Sequence, residues 1–255
     1  MRFASIGSGS EGNGLIVEAG TTRVLIDCGF GVRDAAARLA RIGVEPSSLS
    51  AILVTHEHSD HVGGVPAFAA RHGIPVWLTF GTLTVVGDRF VGMERIYGFD
   101  SSDEIVIGDL AIRPFPVPHD AREPVQFVVT DGAFRLGVLT DLGMSTPCVE
   151  QSLSGCDALV LECNHDLDLL ADSDYPASLK QRIAGRFGHL HNEAAAALLA
   201  ALDTSRLQHI LAAHLSKQNN TPDMARAALA AALACTPDWI GIADQLDGFA
   251  WRAMA

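Results

Sequence analysis

The chain has 255 residues, 48% of them hydrophobic and 19% charged, which suffices for a substantial core and suits one α/β domain spanning 1–255. No apolar stretch approaches the roughly 18 residues needed to cross a bilayer, and MRFASIGSGS lacks the basic and apolar regions of a secretory signal. A membrane role is therefore excluded, and the cytoplasm is the expected compartment. Eighteen Lys and Arg against 30 Asp and Glu leave a net charge of −12, which argues against a broad basic face for nucleic acid. Five cysteines without a CxxC pair fit neither a disulfide framework nor a thiolate zinc knuckle.

Short apolar runs separated by glycine-rich turns open the chain: Arg2 to Ile6, Leu15 to Ala19 and Thr22 to Asp27 read as a β-meander. Residues 31–42 place Val32, Ala36, Leu39 and Ile42 at helical spacing, and Ala51 to Thr55 is a continuous apolar run of buried-strand type. A second helix is expected from about His61 to His72, then a strand over Pro75 to Thr79. Strand-like runs follow near 94–98, 104–108, 110–116, 125–130 and 134–140, one pair joined by Asp131-Gly132. The last hundred residues alternate a strand over Asp157–Cys163, a helical region, a strand near 207–212, an alanine-rich helix over 223–234, and short strands near 239–243 and 248–252. No repeat of fixed period and no linker is visible. Strands in blocks with helices between them point to two packed sheets covered by helices.

The densest chemical signal is Thr55-His56-Glu57-His58-Ser59-Asp60-His61, directly after the buried strand. Imidazole and carboxylate side chains crowded where a strand leaves the core are what a metal site requires. Three more candidates end apolar runs downstream: His119, Asp141 and His214. Taken singly, each histidine reads as a hydrogen-bonded strand-end residue and Asp141 as a helix cap ahead of Leu142–Val149. Together with HxHxDH, they read as parts of one metal site.

The order Asp27, HxHxDH, His119, Asp141, His214 resembles the five motifs of the metallo-β-lactamase superfamily over essentially the whole chain. The resemblance implies an α/β fold, an αββα four-layer sandwich with a metal site at one edge. It implies two divalent ions, Zn, Mn or Fe, with His56, His58 and His119 as ligands of the first, Asp60, His61 and His214 as ligands of the second, and Asp141 as the bridge. Asp27 would orient the histidine loop by hydrogen bonds without binding metal. A histidine at position 58 departs from the oxygen- and nitric-oxide-reducing flavodiiron branch, which carries a carboxylate there, and the Asp141 bridge is shared with phosphodiesterase, thioesterase and lactonase branches. Two such ions generate a hydroxide from water and polarise the electrophile, so hydrolysis is the expected reaction, with Asp60 also orienting the water.

Four further stretches resemble the YycJ/WalJ-like (VicX-type) branch, small members described as DNA exonucleases: GSGSEGN at the start, Glu162-Cys163-Asn164-His165-Asp166, the run from Tyr175 to Leu190, and His214 to Asn220. On this reading, Asp60 and His165 are the catalytic candidates, and Lys180, Arg182, His189 and Asn219 the substrate-binding ones. His165 stands equally as a structural hydrogen-bonding residue, and the basic residues Lys180, Arg182 and Arg186, with His189 and His191, either position phosphates or balance the acidic residues before them. The expected partner is a nucleic acid end or a small phosphodiester. A thioester, lactone or cyclic phosphodiester hydrolase is the alternative, and a non-catalytic metal-binding regulator a third reading. Cys28 and Cys163 read as small buried hydrophobes.

Overall fold

A computed structural model describes residues 1–255. In its first half, β1 (Arg2–Gly7), β2 (Gly14–Ala19) and β3 (Thr22–Ile26) form the expected antiparallel meander, and β4 (Ala51–Leu53), β5 (Val76–Thr79) and β6 (Ile96–Phe99) extend it in parallel. The last strand, β14 (Phe249–Ala253), returns to pair with β1, giving the order β14-β1-β2-β3-β4-β5-β6. The second sheet repeats the progression. Antiparallel β7 (Ile105–Ile107), β8 (Leu110–Pro116), β9 (Val125–Thr130) and β10 (Arg135–Leu139) are followed in parallel by β11 (Ala158–Glu162), β12 (His209–Ala213) and β13 (Gly241–Ile242). The likeness of the halves is one of topology, which is why no sequence period betrays it.

Side-chain alternation along the strands divides the apolar residues into layers. Phe3, Val17, Val24 and Leu53 meet Phe127, Leu136, Val160 and Leu211 between the sheets. Their neighbours Ala4, Ile16, Leu25 and Ile52 face the opposite way, onto Leu39 of α1 (Val32–Arg41) and Phe68 of α3 (Val65–His72). On the far side, Leu159, Leu161 and Ile210 pack against Leu198 of α8 (Asn192–Ala201) and Leu229 of α9 (Pro222–Leu233). The result is the αββα sandwich. No helix is long and apolar enough to cross a membrane.

Some boundaries differ from those expected. The helix expected over His61 to His72 is two helices, α2 (Ser59–Val62) and α3, parted at Gly63-Gly64. There a Cβ on Gly64 would stand 1.8 Å from the Phe30 carbonyl oxygen, so the chain crosses the 28–30 loop where only glycine fits. A helix that the sequence reading did not anticipate, α4 (Phe80–Val86), is capped by Thr79, whose hydroxyl accepts from Thr82 N–H. The helix after Asp141, α5 (Pro147–Leu153), starts later than expected with Thr146 as its cap, so Asp141 is no helix cap. The strand expected over 239–243 shrinks to β13 because residues 237–239 form a 3-10 turn.

Candidate metal centre

β10, β11 and β12 run parallel and in register, with Leu139 opposite Leu161 and Glu162 opposite Ala213. Asp141, Glu162 and His214 therefore emerge together at one rim. β8 lies parallel to β10 through the intervening antiparallel β9, so His119 emerges there too. The first sheet contributes Thr55 to His61, just beyond β4. Asp27 and His214 both adopt left-handed backbone, with φ of 60° and 54°; such conformations cost non-glycine residues roughly 1–2 kcal/mol and concentrate at functional sites.

Hydrogen bonds on the outer side of each imidazole fix where its lone pair points. His56 Nδ1 donates to Thr55 Oγ1 at 2.9 Å, because that hydroxyl spends its own proton on Asp27 Oδ2 at 2.8 Å. His58 Nε2 donates to the Asp120 carbonyl at 3.2 Å, and His119 Nδ1 to the Gly188 carbonyl at 3.0 Å. The remaining nitrogens then face one another as lone pairs, His58 Nδ1 lying 3.0 Å from His56 Nε2 and 3.2 Å from His119 Nε2. Such a set repels itself unless a cation sits among it. Ligands at about 2.0–2.1 Å in a tetrahedral site stand roughly 3.3 Å apart, close to the spacing seen.

A second group adjoins the first. His61 Nδ1 donates to Asp27 Oδ2 at 2.8 Å, which turns its Nε2 lone pair toward Asp60 Oδ2 at 3.3 Å and Asp141 Oδ2 at 3.1 Å. His214 Nε2 lies 3.3 Å from Asp60 Oδ2 and 3.7 Å from Asp141 Oδ1. Asp141 Oδ2 is buried without a hydrogen-bond partner. A positive group belongs opposite this oxygen: burial opposes charge on His61, but Asp141, Asp60 and Asp27 raise its pKa well above the ordinary value, and a bound cation would take the place of that proton. Burial, reinforced by neighbouring His61, holds His56 well below its ordinary pKa, and burial brings His119 down to about 4. Both imidazoles thus stay neutral, as ligands must. Burial opposes ionisation of Asp141, but the surrounding imidazoles, His214 foremost, hold it well below the carboxylate range.

Asp27 stands behind this centre. Its Oδ1 accepts Thr55 N–H at 2.9 Å while Oδ2 takes the Thr55 hydroxyl and His61, so one carboxylate sets both ends of the histidine loop. Asn13, from the opening GSGSEGN, donates from Nδ2 to the Asp60 carbonyl at 3.3 Å and lies 3.1 Å from His61 Nε2.

The rim opens into a cavity of about 330 Å³ lined by His58, Asp60, Asp141, His189 and His214 on the metal side, with Ser10, Asn164, Tyr175, Arg182 and Ser216 around them. Of the substrate-contact candidates, Arg182 and His189 reach this cavity. Arg182, on α7 (Ala177–Ile183), pairs with Asp120 Oδ2 at 2.5 Å. His189 donates Nδ1–H to Glu162 Oε1 at 2.7 Å. Burial alone would lower the His189 pKa, but Glu162 raises it to about 9.

The other candidates lie elsewhere. Lys180 spends its ammonium on the Ala171 carbonyl at 2.5 Å, away from the cavity. Asn219 is 1% exposed and lies behind the rim, its backbone carbonyl accepting Asp166 N–H. His165 is wholly buried and outside the cavity lining, its Nδ1 3.3 Å from Asn164 Oδ1 and its backbone bridged to His191. The sequence reading missed Glu162. Fully buried, it accepts from Leu142 N–H at 2.8 Å, Leu190 N–H at 3.2 Å and His189, stitching three rim loops together. Its signal was available: it ends a buried strand on the rim shared by Asp141 and His214. Cys28 and Cys163 are buried as expected, and burial drives the Cys28 thiol up to about 12.

Residues 22–210 match the model of a family described as the beta-lactamase superfamily domain. The chain belongs to the metallo-β-lactamase superfamily. Within it, the chain falls in the YycJ/WalJ-like branch: it is 33% identical to exodeoxyribonuclease YycJ of Bacillus anthracis, over 89% of this chain and 86% of that protein. It is 32% identical to exodeoxyribonuclease WalJ of Streptococcus pneumoniae strain D39, over 95% and 91%. Among solved structures it shares the fold of the metallo-β-lactamase fold protein YhfI of Bacillus subtilis, with a TM-score of 0.76 at 16% identity over 99% of both chains. Zn²⁺-bound PqqB of Methylobacterium extorquens gives 0.72 at 18% identity over the whole of both. The superfamily fold and the His/Asp clusters together mark a divalent-metal-binding protein.

Proposed function

We propose that this protein is a metal-dependent phosphodiesterase that removes nucleotides from DNA ends. The observation that carries the metal chemistry is the set of inward-facing imidazole lone pairs around the orphaned Asp141 oxygen. The choice of DNA rests on the likeness, over nearly the whole chain, to proteins named exodeoxyribonucleases.

His56, His58 and His119 would hold one divalent ion, Asp60, His61 and His214 a second, and Asp141 would lie between them. Such ions supply Lewis acidity, making a nucleophile of water near neutral pH and offsetting charge on the phosphate. The chain's own residues do the rest. Asp60 lines the cavity with one carboxylate oxygen committed to His61 and His214, leaving the other to orient an attacking water. His189 presents Nε2 to the cavity because Glu162 occupies Nδ1, which suits it to donate to a phosphate oxygen. Arg182 holds the other side of the phosphodiester by exchanging Asp120 for it. Asp27 keeps His61 in the Nδ1–H tautomer. His165, with its place behind the rim, serves the architecture here rather than the chemistry. Five free cysteines suit a reducing cytoplasm.

The test is to incubate Mn²⁺- and Zn²⁺-loaded protein with end-labelled duplex DNA, bis-p-nitrophenyl phosphate, a thioester and a lactone. Release of mononucleotides from the DNA ends is expected. Cleavage of the thioester or lactone with DNA left intact would refute the reading.

A further inference from the structure

Phe187 is 60% exposed and belongs to none of the three hydrophobic clusters of the fold. An exposed phenylalanine needs no explanation by itself, but this one sits on backbone that is held tightly from both sides. A Cβ on Gly143 would lie 2.6 Å from Phe187 N and 2.3 Å from the Arg186 carbonyl oxygen, and a Cβ on Gly188 would lie 2.1 Å from the Ile183 carbonyl oxygen. The next carbonyl, that of Gly188, accepts His119 Nδ1–H at 3.0 Å, and His189 N–H donates to the Ile183 carbonyl at 2.8 Å. Phe187 therefore stands one residue from the metal rim, between two residues that line the cavity, Arg182 and His189.

The surrounding charge is also unlike that of the rest of the molecule. In a chain of net charge −12, residues 175–192 contain Lys180, Arg182 and Arg186 and no acidic residue. Arg186, directly before Phe187, is exposed, its guanidinium resting on Met144 Sδ at 3.3 Å. An exposed aromatic ring next to an arginine in an acid-free segment beside a phosphodiester site is a pairing that holds single nucleotides of a strand, the base by stacking and the backbone by charge.

Resting on the exonuclease reading, we infer that Phe187 is a stacking platform for one nucleobase of the substrate near the scissile phosphate. It sets how the strand end enters and takes no part in bond cleavage. Phe80 supplies an internal control. It is 55% exposed, but its ring covers Gly98 at the edge of the first sheet.

The experiment is a cycle between side chain and base. Duplex ends carrying a single tetrahydrofuran abasic residue at the first, second or third nucleotide are digested by wild type, Phe187→Ala, Phe187→Trp and Phe80→Ala. For wild type, one abasic position is expected to lower kcat/KM roughly 5- to 150-fold, the range of base–aromatic stacking. Phe187→Ala should show a similar loss on intact DNA, carried by KM, and no further loss at that position. Phe187→Trp should restore both the rate and the position dependence, and Phe80→Ala should match wild type. If wild type digests DNA and Phe187→Ala does so equally well, or keeps the full abasic penalty, the inference falls alone. If wild type leaves every DNA end intact, the exonuclease reading falls and takes the inference with it.

Discussion

Asp27→Asn separates the orienting role of this carboxylate from its structural one. The wild-type carboxylate is 2% exposed and accepts three hydrogen bonds, from Thr55 N–H, the Thr55 hydroxyl and His61 Nδ1–H. Asparagine keeps the shape and tolerates the left-handed φ of 60°. Its Oδ1 can still take Thr55 N–H, but its amide NH2 now faces His61 Nδ1, which must become an acceptor. The His61 proton then moves to Nε2, where Asp60 at 3.3 Å and Asp141 at 3.1 Å receive it. The metal-free protein should therefore melt close to wild type, while metal entering beside Asp60 and His214 forces the remaining His61 proton onto Nδ1, against the amide NH2. Disturbing such a partner costs about 10- to 100-fold in metal affinity, and that loss is expected at the proposed position of His61 and, because the amide also denies the Thr55 hydroxyl its acceptor and turns that proton toward His56 Nδ1, at the proposed position of His56. By contrast, Asp27→Ala strips the acceptor from three buried donors, at roughly 1–3 kcal/mol each, and puts alanine in a left-handed backbone that aspartate tolerates better. That is a large part of the about 5–15 kcal/mol available to a typical protein, so Asp27→Ala should melt far lower. Competition against a chromophoric chelator measures the affinities, and thermal melting of the metal-free proteins measures the rest. An Asp27→Asn protein that binds its full metal complement with wild-type affinity would refute the tautomer argument.

Asp141→Ala should lose most metal from both positions, and elemental analysis showing full occupancy would sink its assignment as the shared ligand. Glu162→Ala leaves the Leu142 and Leu190 N–H groups without their acceptor and should lower stability by roughly 2–6 kcal/mol in denaturant titration. Glu162→Gln keeps the loops joined and should instead slow turnover on DNA, because it no longer fixes the proton of His189 on Nδ1; full activity would detach that pair from catalysis. Arg182→Ala should raise KM for DNA several-fold with kcat nearly unchanged, and an unaltered KM would remove Arg182 from the substrate. His165→Asn should lower the melting temperature while leaving turnover nearly intact; a loss of a thousandfold in kcat would return His165 to the catalytic role that its sequence position suggested.

The candidates that the structure brings together at one rim share one property. His56, His119, Asp141 and His214 each follow an apolar run at once, and in an α/β sandwich the carboxyl ends of parallel strands converge whatever lies between them. The candidates that lie away from the cavity are ones for which a turn or helix stands between the strand and the side chain. Lys180 and Arg182 are two residues apart on α7, and at about 100° per residue they point to nearly opposite faces, so one enters the cavity while the other reaches Ala171. His165 and Glu162 are three residues apart across the end of β11, and the turn directs Glu162 to the rim and His165 toward His191. Sequence proximity to a rim carries no information about which way the chain turns after it. The sheet order was equally hidden, because the pairing of β1 with β14 is decided across the full length of the chain.

The net charge of −12 would be a liability for a protein that coats DNA, since non-specific affinity grows with each phosphate neutralised. It is no liability for one that engages a single end. A cavity of about 330 Å³ has room for about one nucleotide, and the positive charge needed there is local: that of the metal ions proposed for the rim, and that of the acid-free segment carrying Arg182 and Arg186 beside it. Beyond that segment the net negative charge of the chain opposes the rest of the duplex. Such a distribution favours release after each cut over tracking along the strand. It predicts that lowering salt will accelerate digestion through KM far less steeply than for a protein with six to ten phosphate contacts, whose affinity changes about 10³- to 10⁵-fold between 50 and 200 mM salt. A slope that steep, measured on a fixed duplex, would mean that an extended phosphate-binding surface exists despite the charge balance.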